Sequence, residues 1–236
     1  MNEISWLEYS SGGVPASKIF EMVLDDLEVL IAKSEGTGAA NTQREVCFIG
    51  LISYFEAFCK DLFASTINIV PSLLSNLKVA GYNISTDLTN VALYKNNVEH
   101  KLGFLVAENF DFGTAKTINN LYGALLVITP FSKEQIKTFD DMLRDRNLIV
   151  HHSGIYTLKY IEQSKIIDKK PDENAFFQSL MLSKDATLER LAFIKGIAKK
   201  MSNSVSKNLA DYCSKEGVTL TDEQNKAIKY LCWDGE

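Results

Sequence analysis

The stretch LISYFEAFCKDLF, residues 51–63, lies at the centre of the most apolar segment of the chain and decides the fold class. Between Thr42 and Val70, apolar side chains recur at helical spacing and predict a long helix. Its wide apolar stripe consists of Phe48, Leu51, Ile52, Phe55, Phe58, Cys59 and Leu62. A helix that is apolar on most sides must be covered on most sides. We therefore predict that it is the central helix of a bundle, or that it contacts a partner subunit as well as the core.

Helical periodicity continues along most of the remaining chain. We predict further helices over 17–33, 71–80, about 89–108, 115–127, from Ser132 to shortly before Gly154, 184–212 and 221–231. Residues 155–183 differ, because their apolar side chains flank a polar turn at 168–174, which indicates a small β-hairpin or an irregular excursion at about 156–182. The sequence thus predicts an all-α, up-and-down helical bundle that forms a single domain over 1–236. Residues 184–231 form its C-terminal helical extension.

The composition restricts the classes of function. The chain has 236 residues and a net charge of -5. Proteins that bind nucleic acid through a broad basic surface are usually cationic, so we expect any nucleic-acid contact to be local. The four cysteines form no CxxC pair and the chain has only three histidines. This pattern predicts neither a metal site nor a cofactor.

The compartment is predicted from the N terminus and the longest apolar run. Residues 1–13 are polar and lack the apolar core of a secretion signal. The run at 121–131 is too short for a bilayer, which requires about 20 apolar residues. We therefore expect reduced thiols, a cytoplasmic protein and no membrane contact.

Two of the three histidines lie side by side in the segment RNLIVHHSG, residues 146–154. A residue in an α-helix turns about 100°, so Asn147 and His151 lie one turn apart on the same face. The predicted apolar stripe of this helix is Ile136, Phe139, Leu143 and Val150, and Arg146 takes the position between the last two. Arginine is almost never fully buried unpaired. We therefore expect this helix end to meet a carboxylate, a phosphate or another subunit.

The side chains of this segment suit RNA cleavage without a metal ion. When a ribose 2′-hydroxyl attacks the adjacent phosphorus, His151 or His152 can accept its proton or protonate the leaving oxygen. The guanidinium of Arg146 can bind two phosphate oxygens and stabilise their charge, and Asn147 can orient the imidazole or the substrate. The alternative is structural. Two histidines at a helix C terminus also suit the helix dipole, and Gly154 can simply end the helix.

Glu56 lies within the most apolar helix and needs a partner if it is buried. Lys60, at position i+4, lies on the same face and offers a local ion pair. Arg146 is the alternative partner. Only the second pairing would make Glu56 a supporting residue of the predicted site.

The segment Arg146-Asn147, followed by His151 and Gly154, resembles the Arg-x(4–6)-His motif of the HEPN superfamily, the higher eukaryote and prokaryote nucleotide-binding domains. Residues 51–63 are similar to the helix that precedes this motif in RiboL-PSP-like HEPN domains. The resemblance covers about residues 42–155. His152 also satisfies the looser spacing of the motif, so either histidine can correspond to the motif histidine.

The resemblance implies an all-α bundle that dimerises and places two motifs opposite each other in a composite cleft. Many HEPN proteins are metal-independent endoribonucleases of toxin–antitoxin or antiviral defence systems. It therefore implies RNA as substrate, a homodimer, and a cognate antitoxin or another defence-system protein as partner. Other members are inactive, so the alternative is a non-catalytic interaction protein or an RNA- or nucleotide-binding protein.

Overall fold

The computed structural model describes residues 4–35, 40–94, 98, 100–166 and 178–234. The α-helices are α1 (Ala16–Ala32), α2 (Ala40–Ile69), α3 (Leu74–Val79), α4 (Leu88–Tyr94), α5 (Leu102–Ala107), α6 (Ala115–Leu126), α7 (Lys133–His152), α8 (Leu158–Ser164), α9 (Lys184–Glu216) and α10 (Asp222–Leu231). Short 3-10 helices span Trp6–Tyr9, Ser11–Gly13 and Pro71–Leu73. These residues contain no β-sheet, which confirms the predicted all-α class.

Two segments differ from the expectation. The helix predicted over about 89–108 is divided into α4 and α5. Within the predicted hairpin region, residues 158–164 form helix α8 instead of a strand, because Thr157 caps the helix by accepting a hydrogen bond from the Tyr160 amide. One antiparallel bridge, between Ile155 and Ser179, closes the base of this region. The predicted polar turn at 168–174 lies outside the described residues.

The contacts between Cα atoms divide the chain into two compact units. The first consists of Met1–Met22, Phe55–Phe131 and Gly196–Glu236, and the second of Val23–Tyr54 and Ser132–Lys195. Helices α1, α2 and α9 therefore contribute residues to both units. The single domain over 1–236 stays a prediction.

The first unit has an aromatic core. Phe20 stacks on Phe58 with 5.0 Å between ring centroids, and Phe63 lies edge-on to Phe112 at 5.4 Å. The buried Asn68 side chain joins two segments, because its Nδ2 donates to the Tyr9 carbonyl (3.1 Å) and its Oδ1 accepts from the Gly103 amide (2.7 Å). A Cβ atom at Gly103 would lie 2.0 Å from the carbonyl oxygen of Ala64. Glycine therefore permits the close approach of α5 to α2.

The second unit buries apolar side chains of α1, α2, α7 and α9. Its fully buried side chains include Leu24, Phe48, Leu51 and Ile194. The Arg190 guanidinium of α9 lies over the Phe48 ring, 4.5 Å from its centroid. All of the motif residues 146–154 belong to this unit. In the part of the chain that the structure describes, no helix is both long enough and apolar enough to cross a membrane.

Candidate functional site

Helix α7 carries the predicted site and begins as the sequence predicts. Ser132 is its N-cap residue, and its Oγ accepts a hydrogen bond from the Gln135 amide at 3.3 Å. The Gln135 side chain accepts one in return from the Ser132 amide at 2.9 Å. This capping box fixes the start of the helix, and therefore also the rotation at which its far end presents Asn147 and the two histidines.

The end of α7 is closed by a tight turn. Ser153 and Gly154 both have left-handed backbone conformations, with φ angles of 50° and 77°. The Gly154 amide donates to the carbonyl of Leu148 at 3.2 Å, as in a glycine-terminated helix. The Gly154 carbonyl then accepts from the Leu180 amide at 2.8 Å. This turn leads directly into α8, which packs beside the last turns of α7.

A cleft of about 300 Å³ lies between the last turns of α7 and helix α8. Asn147, His151 and His152 are exposed and line it together, so the structure brings these three predicted site residues into one place. Among the described residues, neither imidazole makes a hydrogen bond. Among the described residues, no carboxylate lines the cleft. Its other lining residues are Arg144, Leu148, Thr157, Lys159, Tyr160 and Gln163.

Arg146 contacts the residues of the cleft through Asn147. It does not line the cleft, but its Nη1 donates a hydrogen bond to Asn147 Oδ1 at 2.9 Å. Its Nε is buried and has no hydrogen-bond partner among the described residues. Buried polar groups normally have partners. This donor is therefore unsatisfied among the described residues of the chain.

The buried face of α7 differs from the predicted stripe. Val150 is 46% exposed, whereas Met142 and Asp145 are buried. The predicted position of Arg146 in an apolar stripe is therefore wrong, because the buried face is rotated toward Asp145 and away from Val150. Arg146 is half-buried at the edge of this face. Asp145 pairs with Arg190 of α9, so the carboxylate expected as a partner of Arg146 is not found among the described residues.

Asp145 is held in a buried network behind the cleft. Its Oδ1 accepts a hydrogen bond from the Tyr160 hydroxyl at 2.6 Å, and its Oδ2 is paired with Arg190 Nη2. Burial and the hydrogen bond to Asp145 raise the pKa of Tyr160 well above its ordinary value of 10.0. Because Tyr160 also lines the cleft, this network fixes the position of α8 relative to α7.

Glu56 belongs to the first unit and does not join the cleft. Lys60, its predicted local partner, instead pairs with Glu108, with 2.8 Å between Nζ and Oε1. The local ion pair is thus replaced by one to the segment that follows α5. Arg146 belongs to the second unit, so a pairing of Glu56 with Arg146 stays a prediction.

Sequence reasoning placed Arg144 on the polar line of α7 without counting it among the candidate site residues, and it missed Lys159. Arg144 lies at positions i−3 and i−7 from Asn147 and His151, and this spacing was sufficient to place it on the same face. Lys159, Tyr160 and Gln163 were missed because we expected an irregular segment or a hairpin there. The signal was Thr157 as an N-cap residue.

Comparisons with known proteins add no relative. No protein-family profile, curated protein or solved structure matches the chain. The similarity to the HEPN superfamily therefore stays a prediction based on residues 51–63 and 146–154.

Proposed function

We propose that the protein is a metal-independent endoribonuclease of HEPN type. One observation carries the proposal: the end of α7 gathers Asn147, His151 and His152 with Arg144 and Lys159 in a cleft whose described lining contains no carboxylate. Such a lining attracts an anion, and RNA presents a phosphate next to the nucleophilic 2′-hydroxyl. The histidines are exposed to this space and are therefore accessible to a substrate.

In the proposed reaction, the ribose O2′ attacks phosphorus and the bond from phosphorus to O5′ breaks. His151 or His152 accepts the proton of the 2′-hydroxyl, and a protonated imidazole supplies a proton to the leaving O5′. Arg144 lies on the cleft face and stabilises the phosphate oxygens. In the composite cleft proposed below, Arg146 of the second copy acts on the same oxygens. The products are a 2′,3′-cyclic phosphate and a 5′-hydroxyl, so neither a metal ion nor another cofactor takes part.

We further propose a homodimer in which two motifs form one composite cleft. The position of Arg146 supports this assembly, because this half-buried side chain lies at the end of α7 but does not line the cleft of its own copy. A guanidinium outside the cleft of its own copy can bind an RNA phosphate in the cleft that the two copies form together. By the same resemblance, we propose a cognate antitoxin or another defence-system protein as partner.

The proposal is tested by RNA cleavage in the presence of EDTA. Arg146→Ala and His151→Ala are expected to lower the cleavage rate at least about 100-fold, the contribution of acid–base catalysis or of one transition-state donor. His152→Ala determines which histidine acts. His100→Ala, the third histidine and part of the first unit, is the matched control. Equal rates for wild type and both variants would refute the proposal.

The alternative is a non-catalytic RNA- or nucleotide-binding protein that uses the same cleft. The observation that favours it is that neither imidazole has a hydrogen-bond partner among the described residues, whereas catalytic histidines are usually oriented by such a bond. This alternative predicts that wild type binds RNA or nucleotide but leaves RNA intact. Toxicity in cells that depends on His151 would argue against it.

A further inference from the structure

A second cavity, of about 560 Å³, adjoins the cleft along α7. The two cavities share the lining residues Arg144, Tyr160 and Gln163. The second cavity lies on the side toward the start of α7, where Lys133 and Lys137 line it. Together the two cavities form a continuous surface from the first turn of α7 to its last.

Polar and charged side chains follow this surface at helical spacing. Lys133, Lys137, Asp140, Arg144, Asn147 and His151 are separated by three or four residues each and therefore lie on one face. At 1.5 Å per residue, the line from Lys133 to His151 is about 27 Å long. This length exceeds one nucleotide and suits an extended strand.

We propose that the cavity lined by Lys133 and Lys137 is a binding subsite for the single-stranded RNA that flanks the scissile phosphate. This inference rests on the proposed function, because it takes the adjacent cleft as the reaction site. Lys133 and Lys137 are exposed, and Lys165 faces the same cavity from the end of α8. These ammonium groups bind the backbone phosphates and carry no sequence information.

The acidic residues of the cavity affect binding to different extents. Asp145 is paired with Arg190, and Asp141 is paired with Arg144 at 3.0 Å. Asp140 is exposed and lies between Lys137 and Arg144 along the helix face. Its carboxylate repels phosphate. If the cavity binds RNA, removing this negative charge should therefore strengthen RNA binding.

The test measures the affinity of the full chain for fluorescent 2′-O-methyl RNA, which cannot be cleaved by 2′-hydroxyl attack. One probe is a dinucleotide, which is too short to extend from the cleft to Lys133. The other has about eight nucleotides, within the range of single-strand binding sites. Lys133→Gln/Lys137→Gln is compared with Lys33→Gln/Lys116→Gln, which removes the same charge from exposed lysines outside both cavities. Asp140→Asn is compared with Asp211→Asn.

We expect Lys133→Gln/Lys137→Gln to weaken binding of the longer probe several-fold and leave the dinucleotide unchanged. The salt dependence should become shallower: the magnitude of the slope of log affinity against log salt concentration should decrease by about 1.4. This is about 0.7 for each lost phosphate contact to a single strand. Asp140→Asn should strengthen binding of the longer probe. Equal affinities and slopes for the Lys133→Gln/Lys137→Gln variant and its control would overturn the subsite.

The cleavage assay separates this outcome from failure of the proposed function. If wild type cleaves RNA in a His151-dependent manner and the lysine variant binds as its control does, only the subsite fails. If the longer probe binds with the expected lysine dependence but RNA stays intact, the binding surface stands and the ribonuclease proposal fails.

Discussion

Asp145 is the buried charge on which the cleft depends. Its two carboxylate oxygens are used by different elements, one by the Tyr160 hydroxyl of α8 and the other by Arg190 of α9. Removing one partner of a buried pair leaves the other charge uncompensated, which is costlier than losing an exposed pair. Asp145 therefore holds α8 and α9 against the end of α7 that carries the candidate site.

The first prediction concerns this pair. Asp145→Ala should lower the free energy of unfolding by about 2 kcal/mol, because the mostly buried Arg190 loses its carboxylate and the Tyr160 hydroxyl loses its acceptor. Asp141→Ala, which removes a half-exposed partner of Arg144 from the same helix, should cost less than about 1 kcal/mol. Urea unfolding measures both values. Equal losses for the two variants would show that the buried network does not stabilise the unit.

The second prediction is a pH dependence that arises from Tyr160. Its pKa is raised in the folded state by burial and by the bond to Asp145. The folded state therefore favours the neutral phenol. Its stabilising contribution is complete below the ordinary tyrosine pKa of 10.0 and is lost as pH rises toward the folded value. Between pH 9 and pH 11, wild type should lose more stability than Tyr160→Phe in thermal unfolding. Parallel losses would contradict this assignment.

Helical spacing predicted which side chains at the end of α7 lie near one another. Asn147, His151 and His152 lie together because helical spacing determines which side chains share a face. Asp145 was missed because its position on the buried face is visible only when α9 supplies Arg190. That partner lies 45 residues away in the sequence, so no local pattern indicates it.

At the scale of elements, local signals predicted both bounds of α1, α2 and α6 to within two residues. The capping box of α7 is complete, as Ser132 and Gln135 predict. Helix α8 was missed because a seven-residue helix gives only a short periodic pattern, and tertiary packing through Tyr160 stabilises it. Its N-cap, Thr157, was the usable signal.

The third prediction belongs to the end of α6. Val127 has a left-handed backbone conformation with a φ angle of 57°, and its side chain is 88% exposed. A β-branched residue is strained there. Relief of that strain exceeds the entropic cost of glycine, so Val127→Gly should raise the free energy of unfolding by about 1 kcal/mol.

The matched control is Val79→Gly in α3, where the valine is 89% exposed but has no left-handed conformation. This substitution should lower stability by about 0.5–1 kcal/mol, because glycine weakens a helix. Denaturant unfolding of both variants gives the comparison. A loss of stability in both would contradict strain at Val127.

At the scale of the whole molecule, the sequence predicted the all-α class from the apolar periodicity of α2. It did not predict the division into two compact units. Long helices conceal such a division, because α1, α2 and α9 are continuous across positions where the contacts separate. A single chain does not show how copies assemble. The proposed composite dimer therefore requires an experiment of its own.

The fourth prediction tests that assembly. If each composite site takes its arginine from one copy and its histidine from the other, mixing Arg146→Ala with His151→Ala chains restores one intact site per mixed dimer. We expect cleavage to reappear after the two inactive variants are unfolded and refolded together. Variants refolded separately and then combined in one tube are the control. Activity that stays absent in the co-refolded sample would contradict a site shared between subunits.

The most direct measurement of the central claim is the cleavage, in EDTA, of one RNA and of the same RNA carrying a 2′-deoxynucleotide at the scissile position. The claim is that His151 and its neighbours at the end of α7 activate a 2′-hydroxyl. We predict that wild type cleaves the RNA to a 2′,3′-cyclic phosphate and a 5′-hydroxyl. It should leave the deoxy site intact, and His151→Ala should cleave neither. Cleavage at the deoxy site, or an equal rate with His151→Ala, would contradict the claim.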